Sequence, residues 1–329
     1  MKILAADIGG THSRFGFFLA DGDEDLTLIC SKWFRTRDAD SFGRLLSMLG
    51  ESDFPLKAVE ADITVIAIAG PVAKGTYSAP PLIPWHVDLE EAGPSHGLRH
   101  PVLINDFIAQ AYATRSRPGR SSREILPGER DPEGTVAVIG AGTGLGKAAL
   151  IPNGPDVYTV LASEGGHASF PFLSGREAEY QEFLLRRLGE KYVTGNNVVS
   201  GKGISLLHEF LTGDEVAPEN ILSEDPLLSP PGATRTIELA ARFYGRVCRN
   251  FALETLALGG LYVAGGVAAK SPVLVTHEAF ASEFRSSVTM AEILSQIPVS
   301  LMTDEESGLW GGAALGTQIL GKEGRSPGA

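Results

Sequence analysis

Cysteine, basic residues and long apolar runs are all scarce in this chain of 329 residues. The two cysteines, Cys30 and Cys248, form neither a CxxC pair nor a metal-ligand spacing, which argues against a disulfide scaffold and a structural zinc site. The chain has 28 Lys and Arg but 40 Asp and Glu, so its net charge is −12. Binding to nucleic-acid backbones depends on basic clusters, which such a composition disfavours. The densest basic stretch, residues 115–123, also contains Ser, Pro and Gly, and we expect a solvated loop there. The sequence therefore predicts no nucleic-acid partner.

The apolar runs are too short to cross a membrane. The longest uncharged run, residues 63–73, falls far below the roughly 20 residues of a membrane-spanning helix. The N-terminus leads directly into the strand-like run 3–6 and then Asp7, which is unlike a signal peptide. We therefore expect a soluble, cytoplasmic protein with no membrane partner.

Glycine, in contrast, is abundant, with 39 residues in this chain of 329, against roughly 7% in an average protein. These glycines have no three-residue period, which excludes collagen, and the 43% of hydrophobic and 21% of charged residues are typical of a globular protein. The length favours two domains over a single core. The positions of the glycines therefore decide what the excess means.

Short β-rich runs alternate with longer helical patterns along the chain. Strands are predicted at residues 3–8, 15–19, 63–69, 136–139, 147–151 and 261–264. Helices are predicted at residues 175–188, 233–257 and 308–319. Such a mixture favours an α/β fold built in layers.

One pattern occurs twice: a strand, a glycine turn with a threonine, and a second strand. The first turn reads D-I-G-G-T at residues 7–11, and the second reads G-A-G-T-G-L-G at residues 140–146. Glycine lets backbone N–H groups approach an anion, and the threonine hydroxyl adds a donor. Neither turn has the spacing of a Walker loop or of G-x-G-x-x-G, and tight hairpin turns without a ligand are the alternative. The repetition suggests two similar α/β domains whose turns could hold a phosphate chain.

Three further short motifs place polar residues or glycines next to apolar runs. Asn105 and Asp106 follow the run 102–104 and begin a helical pattern, although either residue could simply cap the helix. Glu164 and His167 flank two glycines; this could be a polar turn or half of a metal site, but no further His/Glu ligand motif accompanies it. The glycine pair 265–266 follows a buried strand, where it lets a flat ring approach the backbone or allows close packing of strand and helix.

Taken in order, these motifs resemble those of bacterial ATP-dependent glucokinases. The matching stretches are residues 7–11, 69–72, 105–107, 140–146, 164–167, 200–203 and 264–267, and they span nearly the whole chain. The resemblance implies the actin-like (ribonuclease H-like) two-domain ATPase fold of hexokinases, with a ligand cleft between the domains. The small α/β domain would comprise residues 1–114 and 305–329, and the large α/β domain residues 115–304. A homodimer is the family's usual state.

The same resemblance implies a hexose kinase, a transferase that moves a phosphoryl group from ATP to the 6-hydroxyl of glucose. The products would be glucose 6-phosphate and ADP, as in the first step of glycolysis, and Asp106 would be the general base that accepts the hydroxyl proton. The sugar-binding residues would be Asn105, Asp106, Glu164, His167 and Asn196. The nucleotide-binding residues would be Ala6, Asp7, Ile8, Gly9, Gly10, Thr11, Gly142, Thr143, Gly265 and Gly266. Asp7 would also help to place Mg²⁺, through water.

The chain departs from the family's pattern at two positions. Glucokinases usually carry a sugar-binding glutamate four residues before the Ser-Gly-x-Gly motif, where this chain has Asn196. They also tend to have asparagine before a tryptophan at the place where this chain has Leu82. We expect both departures on the sugar side of the site and neither on the phosphate side. The alternatives are therefore a kinase for another hexose, or a non-catalytic sugar sensor on the same fold; another actin-like ATPase would leave the sugar-binding pairs unexplained.

Overall fold

The computed structural model describes residues 1–21, 24–225 and 227–324, and the chain divides into two compact units. The first unit consists of Met1–Ser121, Pro152–Ala162 and Asp304–Ala329, and the second of Ser122–Ile151 and Ser163–Thr303. Relative to the domain bounds expected from the sequence, the first unit also contains residues 115–121, 152–162 and 304. Residues 325–329, expected in the small domain, lie outside the described residues.

The secondary structure alternates between strands and helices as expected. The strands are β1 (Lys2–Ile8), β2 (His12–Asp21), β3 (Glu24–Arg35), β4 (Ile63–Ile68), β5 (Tyr77–Ser78), β6 (Val87–Asp88), β7 (Pro101–Asn105), β8 (Arg123–Leu126), β9 (Val136–Ala141), β10 (Leu145–Pro152), β11 (Tyr158–Ser163), β12 (Leu261–Ala264) and β13 (Val299–Leu301). The helices are α1 (Phe42–Glu51), α2 (Leu89–His96), α3 (Asp106–Ala113), α4 (Arg117–Arg120), α5 (Arg176–Leu188), α6 (Gly195–Val198), α7 (Gly201–Thr212), α8 (Pro218–Ile221), α9 (Ala233–Thr255), α10 (Gly266–Lys270), α11 (Val273–Thr276), α12 (Glu278–Arg285), α13 (Ala291–Gln296) and α14 (Ser307–Gly324).

The first unit contains a five-stranded sheet in the order β3-β2-β1-β4-β7. Strand β1 is antiparallel to β2 and parallel to β4, which is parallel to β7. Every residue of β4 is buried, as the continuous apolar run of this strand requires. In the register of the three parallel strands, Ile8 lies beside Ile68 and Ile68 beside Asn105. The carboxyl ends of β1, β4 and β7 therefore share one edge of the sheet.

The second unit repeats this arrangement. Its strands run in the order β10-β9-β12-β13-β8, with β9 antiparallel to β10 and parallel to β12. Strands β1, β2 and β4 of the first unit have the same relationship, so each glycine turn joins a hairpin whose first strand also pairs with a parallel strand. Helix α9 provides much of the second core, because its apolar residues recur at helical spacing and pack against β9 and helices α7, α11 and α12. The prediction of two similar α/β units is confirmed.

Residues 115–123 are not the solvated loop that their composition predicted. Ser116, Pro118 and Gly119 are buried, and α4 forms within this stretch. The prediction was wrong because the basic side chains project from a backbone that packs into the first unit. No helix among the described residues is long and apolar enough to span a membrane.

Candidate active site

The first glycine turn is fixed through its carbonyl groups. The Gly9 N–H donates to the carbonyl of His12 at 2.9 Å and closes the hairpin between β1 and β2. The Thr36 hydroxyl donates to the Gly9 carbonyl at 2.7 Å, and the Thr36 N–H donates to the Thr11 carbonyl at 3.0 Å. Within the described chain, the N–H groups of Gly10 and Thr11 keep no partner, and both residues are exposed. The turn therefore offers donors to an anion, as the sequence predicted.

Asp7 lies at the end of β1, directly opposite Arg14 of β2, whose guanidinium is 3.2 Å from the carboxylate. The Arg14 guanidinium also stacks on the ring of Trp33 at 4.3 Å. Burial raises the pKa of Asp7, and the charge and hydrogen bond of Arg14 offset part of this effect. A Cβ atom at Gly308, in the first turn of α14, would lie only 2.7 Å from the Asp7 carboxyl carbon. Glycine at that position lets the helix N-terminus approach the carboxylate.

Two predicted nucleotide-binding neighbours of Asp7 face the core. Ala6 and Ile8 are 1% and 0% exposed and belong to the apolar cluster of the first unit. Their side chains are therefore unavailable to a ligand, and only their backbone groups could take part in binding.

Asn105 and Asp106 mark the junction between β7 and α3. The side-chain oxygen of Asn105 accepts from the Phe107 N–H at 2.9 Å, and its side-chain NH₂ group donates to the Gly70 carbonyl at 3.1 Å. Asn105 is thus a helix cap, which was the alternative interpretation. Asp106, the first residue of α3, also accepts from the Phe107 N–H, at 3.0 Å. Strands lie about 4.8 Å apart, so Asn105 is about 10 Å from Ile8 along the shared edge.

The second glycine turn is fixed by Asn196. The Gly142 N–H donates to the Gly144 carbonyl at 2.8 Å, while Thr143 is exposed at the tip. The Leu145 N–H, where β10 begins, donates to the Asn196 side-chain oxygen at 2.7 Å. A Cβ atom at Gly144 would lie 3.1 Å from the same oxygen. Asn196 therefore orders the turn that the sequence predicted for phosphate binding.

Glu164 and His167 flank a short 3₁₀ turn over Gly165–His167. Both side chains are exposed, with their nearest charged atoms 3.9 Å apart. A Cβ atom at Gly166 would collide with the Leu145 carbonyl and would lie 2.5 Å from the Asn196 oxygen. Gly166 therefore lets this polar turn lie against the second hairpin and beside Asn196.

The two glycines after β12 have different roles. Gly265 has a φ of +85°, and a Cβ atom there would lie 2.7 Å from the carbonyl of Ala141. Close packing against β9 explains this glycine. Gly266 begins α10, and a Cβ atom there would meet open space. Of the pair, only Gly266 leaves room for a ligand.

Both departures from the family's pattern lie beside the glycine turns. A Cβ atom at Gly10 would be 3.3 Å from the Cβ atom of Leu82, and the Asn196 side chain accepts from the Leu145 N–H. The expectation that both departures concern the sugar side and neither the phosphate side stays a prediction.

Thr36 and Gly308 contact residues of the predicted site, but the sequence did not reveal them. Thr36 fixes the first turn only because β3 pairs with β2, and Gly308 approaches Asp7 only because α14 packs there. Neither residue lies in a motif with a recognisable spacing. Among the described residues, no group of three or more His, Cys, Asp or Glu side chains forms a metal cluster.

The family model described as Glucokinase matches residues 4–319. The glucokinase of Pseudomonas paraeruginosa is 31% identical, over 98% of this chain and 94% of that protein. The glucokinase of Nostoc punctiforme is 29% identical, over 96% of this chain and 99% of that protein. These matches extend over both units.

Solved structures have the same fold. The glucokinase of an Antarctic psychrotroph superposes with a TM-score of 0.80 at 27% identity, covering 95% of this chain and 98% of that one. A ROK-family glucokinase from Streptomyces griseus, solved in complex with glucose and AMPPNP, has a TM-score of 0.58 at 19% identity, covering 96% and 99%. At that identity the second likeness concerns the fold alone, which is the α/β fold of actin-like ATPases. Together with the family match over residues 4–319, these findings place the chain in the glucokinase family.

Proposed function

We propose that this protein is a glucokinase that transfers the γ-phosphoryl group of ATP to the 6-hydroxyl of glucose, with Asp106 as the general base. The family supports ATP and glucose as the substrates. One observation of the structure carries the mechanism. The unpaired N–H groups of the first glycine turn and the carboxylate of Asp106 lie at the same edge of one sheet. That edge offers hydrogen-bond donors to a phosphate group and a carboxylate that accepts a proton, both on a rigid scaffold.

The carboxylate of Asp106 can accept the proton of the attacking hydroxyl. The hydrogen bond from the Phe107 N–H orients this carboxylate. A positioned base typically accelerates such a step by about 10²–10⁴-fold. The remainder of the catalysis is positioning and charge stabilisation, which phosphoryl transfer mainly requires.

The exposed turns would hold the phosphates of ATP. The N–H groups of Gly10 and Thr11 and the Thr11 hydroxyl are available in the first turn, and Thr143 is exposed in the second. Asp7 fits a role towards Mg²⁺ through water, because Arg14 contacts only one of its carboxylate oxygens. When bound with ATP, Mg²⁺ would neutralise charge on the phosphates.

The sugar would be bound mainly by exposed polar side chains. Glu164 and His167 can accept and donate, whereas Asn105 already uses both ends of its amide group within the first unit. Asn196 uses its oxygen for Leu145, and its NH₂ group has no hydrogen-bond partner in the described part of the chain. We therefore assign to Asn196 the donation of a hydrogen bond to a sugar oxygen, where a glutamate would accept one.

A coupled assay with ATP and a panel of hexoses tests the proposal. We expect turnover with glucose, and we expect Asp106→Asn to lower kcat by about 10²–10⁴-fold. Asp88→Asn is the matched control, because Asp88 is likewise an aspartate at the N-terminus of a helix of the first unit. Glucose binding without turnover would indicate a sensor, and ATP hydrolysis indifferent to sugar would indicate another ATPase. Near-normal turnover by Asp106→Asn would remove Asp106 from the role of base.

A second substitution tests the assignment of Asn196. Asn196→Asp keeps the acceptor for the Leu145 N–H but removes the NH₂ donor. We expect the KM for glucose to rise by about threefold to tenfold while the KM for ATP stays constant, because one hydrogen bond to sugar is lost. Steady-state kinetics with each substrate varied in turn give both constants. An unchanged or lower KM for glucose would contradict donation by Asn196.

The proposal also includes dependence on Mg²⁺, a homodimer, a cytoplasmic location and a place at the start of glycolysis. The family's usual state supports the dimer, and the need for ATP supports the compartment. Chelation of Mg²⁺ should abolish turnover and its return should restore it. Analytical ultracentrifugation would measure the oligomeric state.

A further inference from the structure

A pocket lies within the first unit, away from the sheet edge shared by β1, β4 and β7. It has a volume of about 440 Å³, and its walls come from the C-terminal end of α3, the length of α14 and residues 155–158. Small-molecule sites commonly measure about 300–1,000 Å³. None of its described lining residues belongs to the candidate active site. The pocket is therefore large enough for a ligand of its own.

The polar groups of this pocket are predominantly cationic. Arg115, Arg120 and Lys322 line it, together with the carboxylate of Asp156. The Arg115 guanidinium lies 4.9 Å above the ring of Tyr158, and its Nε atom is buried without a hydrogen-bond partner in the described part of the chain. A concentration of positive charge is notable in a protein with a net charge of −12. The basic stretch that composition assigned to solvent contributes two of these residues.

Trp310 supplies a second unused donor. It lines the pocket, is 4% exposed, and keeps its indole N–H buried without a partner among the residues that the structure describes. A buried donor without a partner is costly to the folded state. Two such donors, on Arg115 and Trp310, in the lining of one pocket point to a ligand that accepts hydrogen bonds.

Other lining residues, Tyr112, Tyr158 and Gln318, are held by hydrogen bonds to one another. The carbonyl of Tyr158 accepts from the Tyr112 hydroxyl at 3.1 Å and from the Gln318 amide at 3.0 Å. The Gln318 oxygen accepts from the Tyr158 N–H at 2.7 Å. These groups satisfy one another, so the donors left for a ligand include the Arg115 Nε–H and the Trp310 indole N–H, which have no partner in the described part of the chain. The site is preorganised, which lowers the entropy cost of binding.

We propose that this pocket binds a small phosphate monoester. Guanidinium, ammonium and indole groups have donors only, and a phosphate dianion presents several acceptor oxygens to them. The apolar lining, which includes Leu26, Val157 and Ala314, suits a short carbon skeleton. The assignment is independent of the proposed function, because the pocket and the candidate active site share no lining residue.

Glycerol 3-phosphate is the probe, measured by isothermal titration calorimetry on the full chain with glucose and a non-hydrolysable ATP analogue at saturation. These substrates occupy the proposed active site, so binding there is excluded. We expect saturable binding of one probe per chain. Arg115→Gln should weaken the affinity by about tenfold, because it removes one charged hydrogen-bonding group. Arg37→Gln, an exposed charge removal in the same unit, should leave the affinity unchanged.

Lys322→Gln provides a second variant at an exposed position, in case Arg115→Gln folds poorly, and should also weaken binding. Glycerate and inorganic phosphate separate the possible sources of anionic chemistry. Equal affinity for glycerate would overturn the phosphate assignment, and equal affinity for inorganic phosphate would show an adventitious ion only. Absence of saturable binding, or binding unaffected by both Arg115→Gln and Lys322→Gln, would overturn the site itself.

Discussion

The two glycine hairpins share a sequence pattern, but they are held in opposite ways. In the first unit, Thr36 donates to two carbonyl groups of the turn and leaves its N–H groups available. In the second unit, Asn196 accepts from the N–H of Leu145 at the end of the turn. Thr36, which holds the first turn, directly follows the neighbouring strand β3. Asn196, which holds the second turn, also lies beside the Glu164–His167 turn.

Two turns with similar sequences can therefore differ in what they are connected to. The second turn is connected through Asn196 to the Glu164–His167 turn, whereas the first turn is held by Thr36. Substitution of Thr36 should affect the nucleotide alone, because its hydroxyl bonds the Gly9 carbonyl and the Ser13 hydroxyl, both at the first hairpin. Changes that disturb the bond from Leu145 to Asn196 should affect the KM for ATP and the KM for glucose together, because Gly166 and Asn196 meet there.

Gly166→Ala should have the largest effect on this comparison. The added Cβ atom would collide with the Leu145 carbonyl and crowd the Asn196 oxygen. Overpacking of this kind costs about 1–3 kcal/mol or more in the free energy of unfolding. We expect the KM for ATP and the KM for glucose to rise together, as measured by steady-state kinetics beside thermal unfolding.

Gly50→Ala is the control for Gly166→Ala, because a Cβ atom at Gly50 meets nothing within 4 Å. It should change neither constant. If Gly166→Ala raised only one of the two KM values, the second hairpin and the sugar turn would not be coupled as we infer.

Thr36→Val should have a smaller and more selective effect. It leaves the Gly9 carbonyl without its hydroxyl donor at a buried position, which costs about 1–2 kcal/mol of stability. We expect the KM for ATP to rise and the KM for glucose to stay constant. Thr27→Val, at an exposed position of strand β3, which leads into Thr36, should leave both unchanged. A rise in the KM for glucose alone would contradict the separation of the two hairpins.

The smallest effect concerns charge, and it applies to the first hairpin alone. Because burial raises the pKa of Asp7, the folded protein binds this proton more tightly than the unfolded chain. Stability should therefore fall as the pH rises above 3.8, the ordinary value, until the raised pKa is passed. Asp7→Asn removes the titration, so its free energy of unfolding relative to the wild type should increase across that range in urea titrations.

Asp53→Asn supplies a control of opposite sign for the charge effect. The hydrogen bond and charge of Lys32 lower the pKa of Asp53, so the wild-type aspartate favours the folded state as the pH rises. Relative to wild type, Asp53→Asn should thus lose stability where Asp7→Asn gains it. The same direction for both variants would contradict the role of burial at Asp7.

Much of the fold could be predicted because its signals are local. The buried strand β4 and the amphipathic helix α9 follow directly from apolar runs and periodicity. Strand β3 was missed, because it mixes charged and apolar residues in a strand at the edge of the sheet. The basic stretch from Arg115 was misjudged, because composition does not report that its backbone packs inward.

The candidate site was predicted only in part for a similar reason. Asp7 and Asp106 stand out because Asp7 lies near the end of β1 and Asp106 directly follows β7. Thr36 and Gly308 carry no such signal, because their roles depend on partners far away in the sequence. Leu82 was noticed as a departure, but its place beside Gly10 could not be predicted from its neighbours.

The sequence by itself determined the two glycine hairpins, the α/β alternation and the family, because each rests on short-range patterns or on the order of motifs. Tertiary structure alone decided which donors remain available. A glycine-threonine turn fixes where N–H groups lie, but hydrogen bonds from distant residues decide which of them are already used. In the first turn, the bonds from Thr36 leave the N–H groups of Gly10 and Thr11 available. In the second, the oxygen of Asn196 occupies the N–H of Leu145 and connects that turn to the sugar side.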